Sequence, residues 1–440
     1  MRLLLASTIS TAAVTVAMTA AMPRAVRAGT GRPNVILIVC DDLNCSISPY
    51  APEQRVHSPN FERLRDMGAM FENAFAVVPA CAPSRASMLL GLMPTTSGLF
   101  TNGQNWQDAT PAGAESLFGH LRKQGWDTFG TGKLFHGAGW DLRQSDWTGY
   151  WMPERYYERL EEREPAIAAS ASEGFDFGPS EEAAMPDVEC TDRVIDRIAS
   201  GGLDAGGVVV ALGLARPHLP LRVGQAWFDL YPGEVERPPG YWPGARTHEE
   251  NLPDQADLGR TGRRKADRIG ERLTEHGELD DFLRAYYASV SFVDGEIGRV
   301  LDAVTERDLW ANTYVIVTSD HGFMLGEKRQ FSKFVLREAA IKVPLFVAGG
   351  EIVPQRVADP VSLIDIFPTV CGLAGVAAPD ECEGQDLAPT MRGAGPPARG
   401  HSISCYGGRQ RNDAEGTETF RLHATIRTAK WRLIDYGPAR

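Results

Sequence analysis

Residues 34–42 read Asn-Val-Ile-Leu-Ile-Val-Cys-Asp-Asp. Asn34–Cys40 is a short, nearly continuous apolar run, the pattern of a strand buried on both faces in a parallel sheet. Asp41 and Asp42 follow at once. Adjacent acids at the end of a buried strand are costly unless they are solvated or hold a cation. Three further runs repeat the arrangement. Gly125–Gly132 leads into Lys133, Gly207–Leu214 into Arg216-Pro217-His218, and Thr313–Ser319 into Asp320-His321. Helical patterns lie between them, which is the α/β order. Sites in open α/β sheets form outside the carboxyl ends of the strands, so the four polar groups are expected to meet.

A fifth group joins them from a helix start. Residues 81–91 read Cys-Ala-Pro-Ser-Arg-Ala-Ser-Met-Leu-Leu-Gly. Pro83 suits a first helical turn, and Met88, Leu89 and Leu90 supply an apolar face. Cys81 then stands where free N–H groups and the helix dipole favour an anion. Arg85, four residues on, returns to the same face. A nucleophile and a cation are aimed at one point.

The 440 residues carry a net charge of −12. In residues 1–28, Arg2 is followed by a Leu/Ala/Thr/Val stretch and the segment ends Ala-Val-Arg-Ala, the pattern of a cleaved signal peptide rather than an anchor. Its removal would take three arginines and no acid, leaving −15, which argues against a nucleic-acid partner. Periplasmic or secreted placement is expected, with no stable membrane insertion after cleavage. Cysteines stand at 40, 45, 81, 190, 371, 382 and 405. With Cys81 set aside, six leave fifteen full pairings open.

Cys81-x-Pro83-Ser84-Arg85-x-x-x-Leu89-x-Gly91 resembles the signature of the type I sulfatases. Gly125–His136 resembles their second signature, with Trp126 and Thr131 at positions where Tyr and a small apolar residue are usual. Gly-Lys-Leu-Phe-His at 132–136, Arg-Pro-His-Leu-Pro at 216–220 and Thr-Ser-Asp-His-Gly at 318–322 are similar to the iduronate-2-sulfatase branch. The resemblance spans about residues 33–375. It implies an alkaline-phosphatase-like three-layer α/β/α sandwich with a central mixed, mostly parallel sheet and a smaller C-terminal α+β subdomain. The expected division is a leader at 1–28, a catalytic domain at 29–375 and a shortened subdomain at 376–440.

The resemblance also implies chemistry. Cys81 would be converted to formylglycine by a maturation enzyme. One hydroxyl of the hydrated aldehyde would attack sulfur, and loss of the other's proton would expel sulfate. Asp41, Asp42 and Asp320 form an oxygen-rich set suited to a calcium ion, with residue 81 and the less usual donor His321 completing it. Arg85, Lys133 and Lys333 would stabilise sulfate oxygens. His136 is placed by the resemblance beside the diol and His218 beside the leaving group. The expected substrates are sulfated saccharides, of the 2-O-sulfated uronic acid type found in glycosaminoglycans. Two alternatives stand: a phosphonate or phosphodiester hydrolase of the same superfamily, and a catalytically silent sugar-binding relative. The joint presence of Cys81, Arg85, Lys133, His136, His218 and Lys333 argues against the second.

Elsewhere the periodicity predicts helices at Asn60–Met67, Glu115–Gln124, Pro186–Ser200 and Leu279–Arg307, the last single or paired. Strands are expected at Ala69–Val78, Val343–Ala348 and in one late run, Ala424–Tyr436. Residues 361–375 read as strand into helix, 137–186 as irregular with aromatics that either pack, the favoured reading, or line a sugar site, and 232–277 as a long loop or insertion.

Overall fold

The computed structural model describes residues 31–111, 113–137, 143–161, 177–180, 185–241, 269–328, 330–412 and 417–435. The expected leader, Trp140, His248 and most of the 232–277 insertion lie outside them. Eight strands form the central sheet: β1 (Asn34–Cys40), β2 (Gly68–Phe71), β3 (Asp127–Gly132), β4 (Gly149–Trp151), β5 (Val208–Leu214), β6 (Thr313–Ser319), β7 (Leu345–Gly349) and β8 (Gln355–Val357). Their order is β8-β2-β7-β6-β1-β5-β3-β4. The four strands read first from the sequence are the contiguous block β6-β1-β5-β3, all parallel. Only β7 opposes its neighbours, pairing antiparallel with both β6 and β2.

Alternation along β1 decides the layers. Ile36, Ile38 and Cys40 face one core and Val35, Leu37 and Val39 the other. Helices α1 (Pro59–Met67), α4 (Pro186–Ala199) and α5 (Leu279–Glu306) cover the first face. Helices α2 (Cys81–Leu90), α3 (Leu117–Lys123) and α6 (Ile366–Ala374) cover the second. The three-layer sandwich follows from a strand whose two faces are equally apolar.

Some expectations need correction. The Ala69–Val78 run is not one strand. It splits into β2 and Ala74–Phe75, which pair in different sheets, because Glu72 and Asn73 make a turn between them. Leu279–Glu306 is one helix of 28 residues. The run Ala424–Tyr436 is broken at 429–431, dividing β10 (Thr417–Thr428) from β11 (Arg432–Asp435). With β9 (His401–Asn412), which the sequence reading missed, they form a separate antiparallel sheet. Residues 137–186 contain short elements, including β4 and Phe177–Ser180. The aromatics there pack: Trp147 stacks on Phe118 with centroids 4.2 Å apart and meets Tyr150 edge-on. Leu387, Ala388 and Met391 pack in the core of the second face. No helix among the described residues is long and apolar enough to cross a membrane.

Candidate active site

The carboxyl ends of β1, β3, β5 and β6 do converge. Asp41 and Asp42 leave β1, and Asp42 adopts a left-handed backbone with φ 64°. Tyr286 on α5 holds that turn, its hydroxyl donating to the Asp42 carbonyl at 2.7 Å and accepting from Asn44 N at 3.0 Å. Asp320 N donates to the Cys40 carbonyl at 3.1 Å, which ties the end of β6 to that of β1. Lys133 leaves β3 where β3 and β5 touch: a Cβ on Gly213 would fall 2.1 Å from the Lys133 carbonyl oxygen.

Cys81 is the first residue of α2 and is 1% exposed. Its Sγ lies 3.5 Å from Asp41 Oδ1, 3.3 Å from His321 Nε2 and 2.9 Å from Lys333 Nζ, and His136 also bonds to it. Lys333 Nζ bonds Asp42 Oδ1 at 2.7 Å, and Lys133 Nζ bonds Asp41 Oδ2. His321 Nδ1 donates to the Gly322 carbonyl at 3.0 Å, which leaves Nε2 for the cluster.

Arg85 is fully buried and committed to the scaffold. Its Nε donates to Asp320 Oδ2 at 2.8 Å, and Nη1 donates to the carbonyls of Lys133 and Leu134. Nη2 has no hydrogen-bond partner among the described residues and lies 3.9 Å from Asp41 Oδ2. Asp320 is bonded on both oxygens: Oδ1 accepts from the amides of Asp42 and His321 at 3.2 and 2.9 Å, and Oδ2 meets Arg85. Its Oδ2 also lies 3.6 Å from His321 Nε2, so Asp320 borders the cluster as well as anchoring Arg85.

His218 approaches from the β5 side between two cis prolines, Pro217 and Pro220. Its Nε2 is 3.8 Å from Asp42 Oδ2, and its side chain is 33% exposed while Asp42 is 1% exposed. All ten residues proposed from sequence meet: Asp41, Asp42, Cys81 and His321 form the cluster, Lys133, Lys333 and His136 bond to its members, Asp320 and Arg85 border it, and His218 is more open. His57 and His276 are exposed.

The charges are mutually dependent. Burial opposes the Cys81 thiolate, but Lys333, Lys133, His321 and the His136 bond together hold the thiol well below its ordinary range. Burial and Cys81 oppose ionisation of Asp41, yet Lys133, His218 and Arg85 hold it below the usual carboxylate range. Burial and the nearby Asp41 push Asp320 up to about 6. Burial disfavours the His321 imidazolium, but Asp320 and Cys81 outweigh it and push His321 up to about 9.

Asp41, Asp42, Cys81 and His321 each offer one ligand atom, all buried and within 4.8 Å of one another. Two carboxylates, an imidazole and the residue-81 side chain fit a divalent cation, the group that would relieve the cost of burying adjacent acids. Sequence reading missed Tyr286, which reads only as a core position on α5, and Asp187, discussed below.

A mostly parallel sheet between helices, with a metal-type cluster at the strand ends, defines an alkaline-phosphatase-like hydrolase. The family model described as Sulfatase matches residues 33–376, and the chain belongs to the sulfatase family, the formylglycine-dependent sulfuric ester hydrolases. It is 34% identical over 380 residues to a sulfatase of Formosa agariphila, covering 82% of this chain and 73% of the relative. It is 29% identical over 397 residues to human iduronate 2-sulfatase, covering 79% and 70%. Among solved structures, the fold is similar to the phosphonate monoester hydrolase of Agrobacterium radiobacter, with a TM-score of 0.70, 19% identity and coverage of 92% and 87%. It is also similar to a 2-O GAG sulfatase, with a TM-score of 0.62, 19% identity and coverage of 92% and 82%.

Proposed function

We propose that the protein hydrolyses sulfate esters of sulfated carbohydrates, of the 2-O-sulfated uronic acid type, with residue 81 acting as formylglycine and calcium as the cation. The observation that carries this reading is the convergence on one sulfur atom of Lys333, His321, Asp41 and His136. A binding module needs no such nucleophile. The likeness to iduronate 2-sulfatase supports the choice of sugar.

Asp41, Asp42, residue 81, Asp320 and His321 would hold the cation. Converting Cys81 to formylglycine replaces a soft sulfur with oxygen, which suits calcium better than the encoded thiol. The cation supplies Lewis acidity and charge neutralisation. The remaining steps fall to the chain. Lys133 and Lys333 bind sulfate oxygens as point charges, and Arg85 Nη2 faces the same centre. His136, bonded to residue 81, takes its proton. His218, more open to solvent, protonates the leaving alcohol.

Catalytic work belongs to residues 29–375, with 376–440 as a small subdomain. A leader at 1–28 would deliver the chain to the periplasm or outside the cell, and maturation requires a formylglycine-generating enzyme as partner.

The test begins with the mass of the tryptic peptide containing residue 81, from protein made in its native host. A mass lower by the difference between a thiol-bearing methylene and an aldehyde is expected. Rates on an aryl sulfate and an aryl phosphodiester then follow, with the sulfate faster. An unmodified cysteine in native material, or a faster diester, overturns the proposal.

A further inference from the structure

Asp187 is fully buried, carries a potential charge and has no part in the cluster above. It is the second residue of α4, yet its carboxylate turns toward the end of β5 rather than capping its own helix. Ala215 N donates to Oδ1 and Oδ2 at 2.9 and 3.1 Å, and Arg216 N donates to Oδ2 at 2.9 Å. Tyr156 adds its hydroxyl at 3.4 Å.

These two amides begin the turn that ends in His218. Pro217 and Pro220 have no N–H, so few backbone donors are available to fix the segment. His218 N bonds back to the Ala215 carbonyl at 3.0 Å. The buried Arg216 side chain donates Nε to the Arg222 carbonyl at 3.1 Å and Nη1 to the His218 carbonyl at 3.2 Å. His218 Nδ1 meets the Leu219 carbonyl at 2.6 Å, which aims Nε2 at Asp42. The chain of contacts runs from α4 through one carboxylate to the imidazole.

We propose that Asp187 is a positioning residue for His218: its carboxylate fixes the Ala215–Arg216 backbone, and through that turn the place of the imidazole beside Asp42. This rests on the reading of His218 as the leaving-group acid. A carboxylate is suited to the task because both oxygens accept, so two adjacent buried amides are satisfied by one side chain. Asparagine keeps the shape but offers one acceptor and adds a donor.

The experiment compares wild type, D187N, D187A, H218A and the double variant D187N/H218A, all in formylglycine-bearing form, on an aryl sulfate. D187N is expected to lower kcat about 10- to 100-fold, the usual cost of losing an outer support of a functional side chain. KM should change little, and D187N should cost nothing further in the H218A background. Hydrogen exchange of the 213–221 peptide supplies a readout independent of turnover: the Ala215 and Arg216 amides should exchange faster in D187N while peptides elsewhere stay as in wild type. If D187A does not fold, D187N carries the test. The same loss from D187N with or without His218 would mean a purely structural role and overturn the proposal, as would unchanged exchange at 215–216. Should wild type not hydrolyse the sulfate, or H218A match wild type, the functional reading fails instead, and the exchange result alone decides whether Asp187 holds the turn.

Discussion

Lys333 Nζ lies 2.9 Å from Cys81 Sγ and 2.7 Å from Asp42 Oδ1, so one ammonium group ties the nucleophile's helix to the acids at the end of β1. Burial alone would raise the Cys81 thiol, and Lys333 is the first of the groups that bring it down. The other six cysteines are all pushed up by burial. In the unconverted chain with chelator present, the ultraviolet thiolate signal near neutral pH should therefore belong to Cys81. K333M removes the largest lowering charge, so its thiolate should be lost at a higher pH than in wild type. Superimposable titrations of the two proteins would sink the assignment.

The buried acid pair predicts a cation-dependent stability. A ligand that binds only the folded state at about 100 times its Kd stabilises it by about 2.7 kcal/mol. Calcium added to chelator-treated protein should raise Tm, and D41N or D42N should abolish both that rise and most of the activity. A calcium response that survives in D41N and D42N would place the ion elsewhere.

The four buried strands and their polar ends were legible because an apolar run followed at once by charge is a local pattern, and the sheet then does the assembly. Cys81 and Arg85 were legible from spacing within one helix. Asp187 and Tyr286 were not. Each acts on backbone of a distant segment, Asp187 on Ala215 and Tyr286 on Asp42, and nothing in the sequence around an acid or a core tyrosine reports such a partner. The direction of β7 was hidden for a similar reason, since a short apolar strand has no sense of its own until it pairs. The pairing of Asp320 with Arg85 was hidden for the same reason, since the two are 235 residues apart in sequence.

The contact between β3 and β5 gives a third expectation. A Cβ at Gly213 would lie 2.1 Å from the Lys133 carbonyl oxygen and 2.6 Å from its nitrogen, both backbone atoms that no rotamer change can move. G213A should cost at least about 2 kcal/mol, toward the upper end of overpacking penalties. It should also lower activity in the fraction that remains folded, since Lys133 is displaced from Asp41. Denaturant melts with kinetics on the folded fraction check both, and wild-type behaviour in each would show that the strands can part.

On the covering helix α5, Glu296 is 2% exposed. Burial outweighs its contact with Arg299 and pushes its carboxyl up to about 7 from 4.5. Asp294, on the same helix, is pushed up to about 6 by burial. A raised carboxyl binds its proton more tightly in the folded state, so the stability it contributes is fully present below the unfolded value and is lost as pH rises through the folded one. The wild-type protein should therefore lose stability between about pH 4.5 and pH 7 on account of Glu296. E296Q keeps the shape without the ionisation. It should be more stable than wild type at pH 8, by on the order of 1–3 kcal/mol, and the gap should close toward pH 4.5, where both forms are neutral. Denaturant melts of the two proteins across that range measure the difference directly. A gap that stays constant with pH would mean that Arg299 keeps Glu296 ionised throughout and that burial does not govern it.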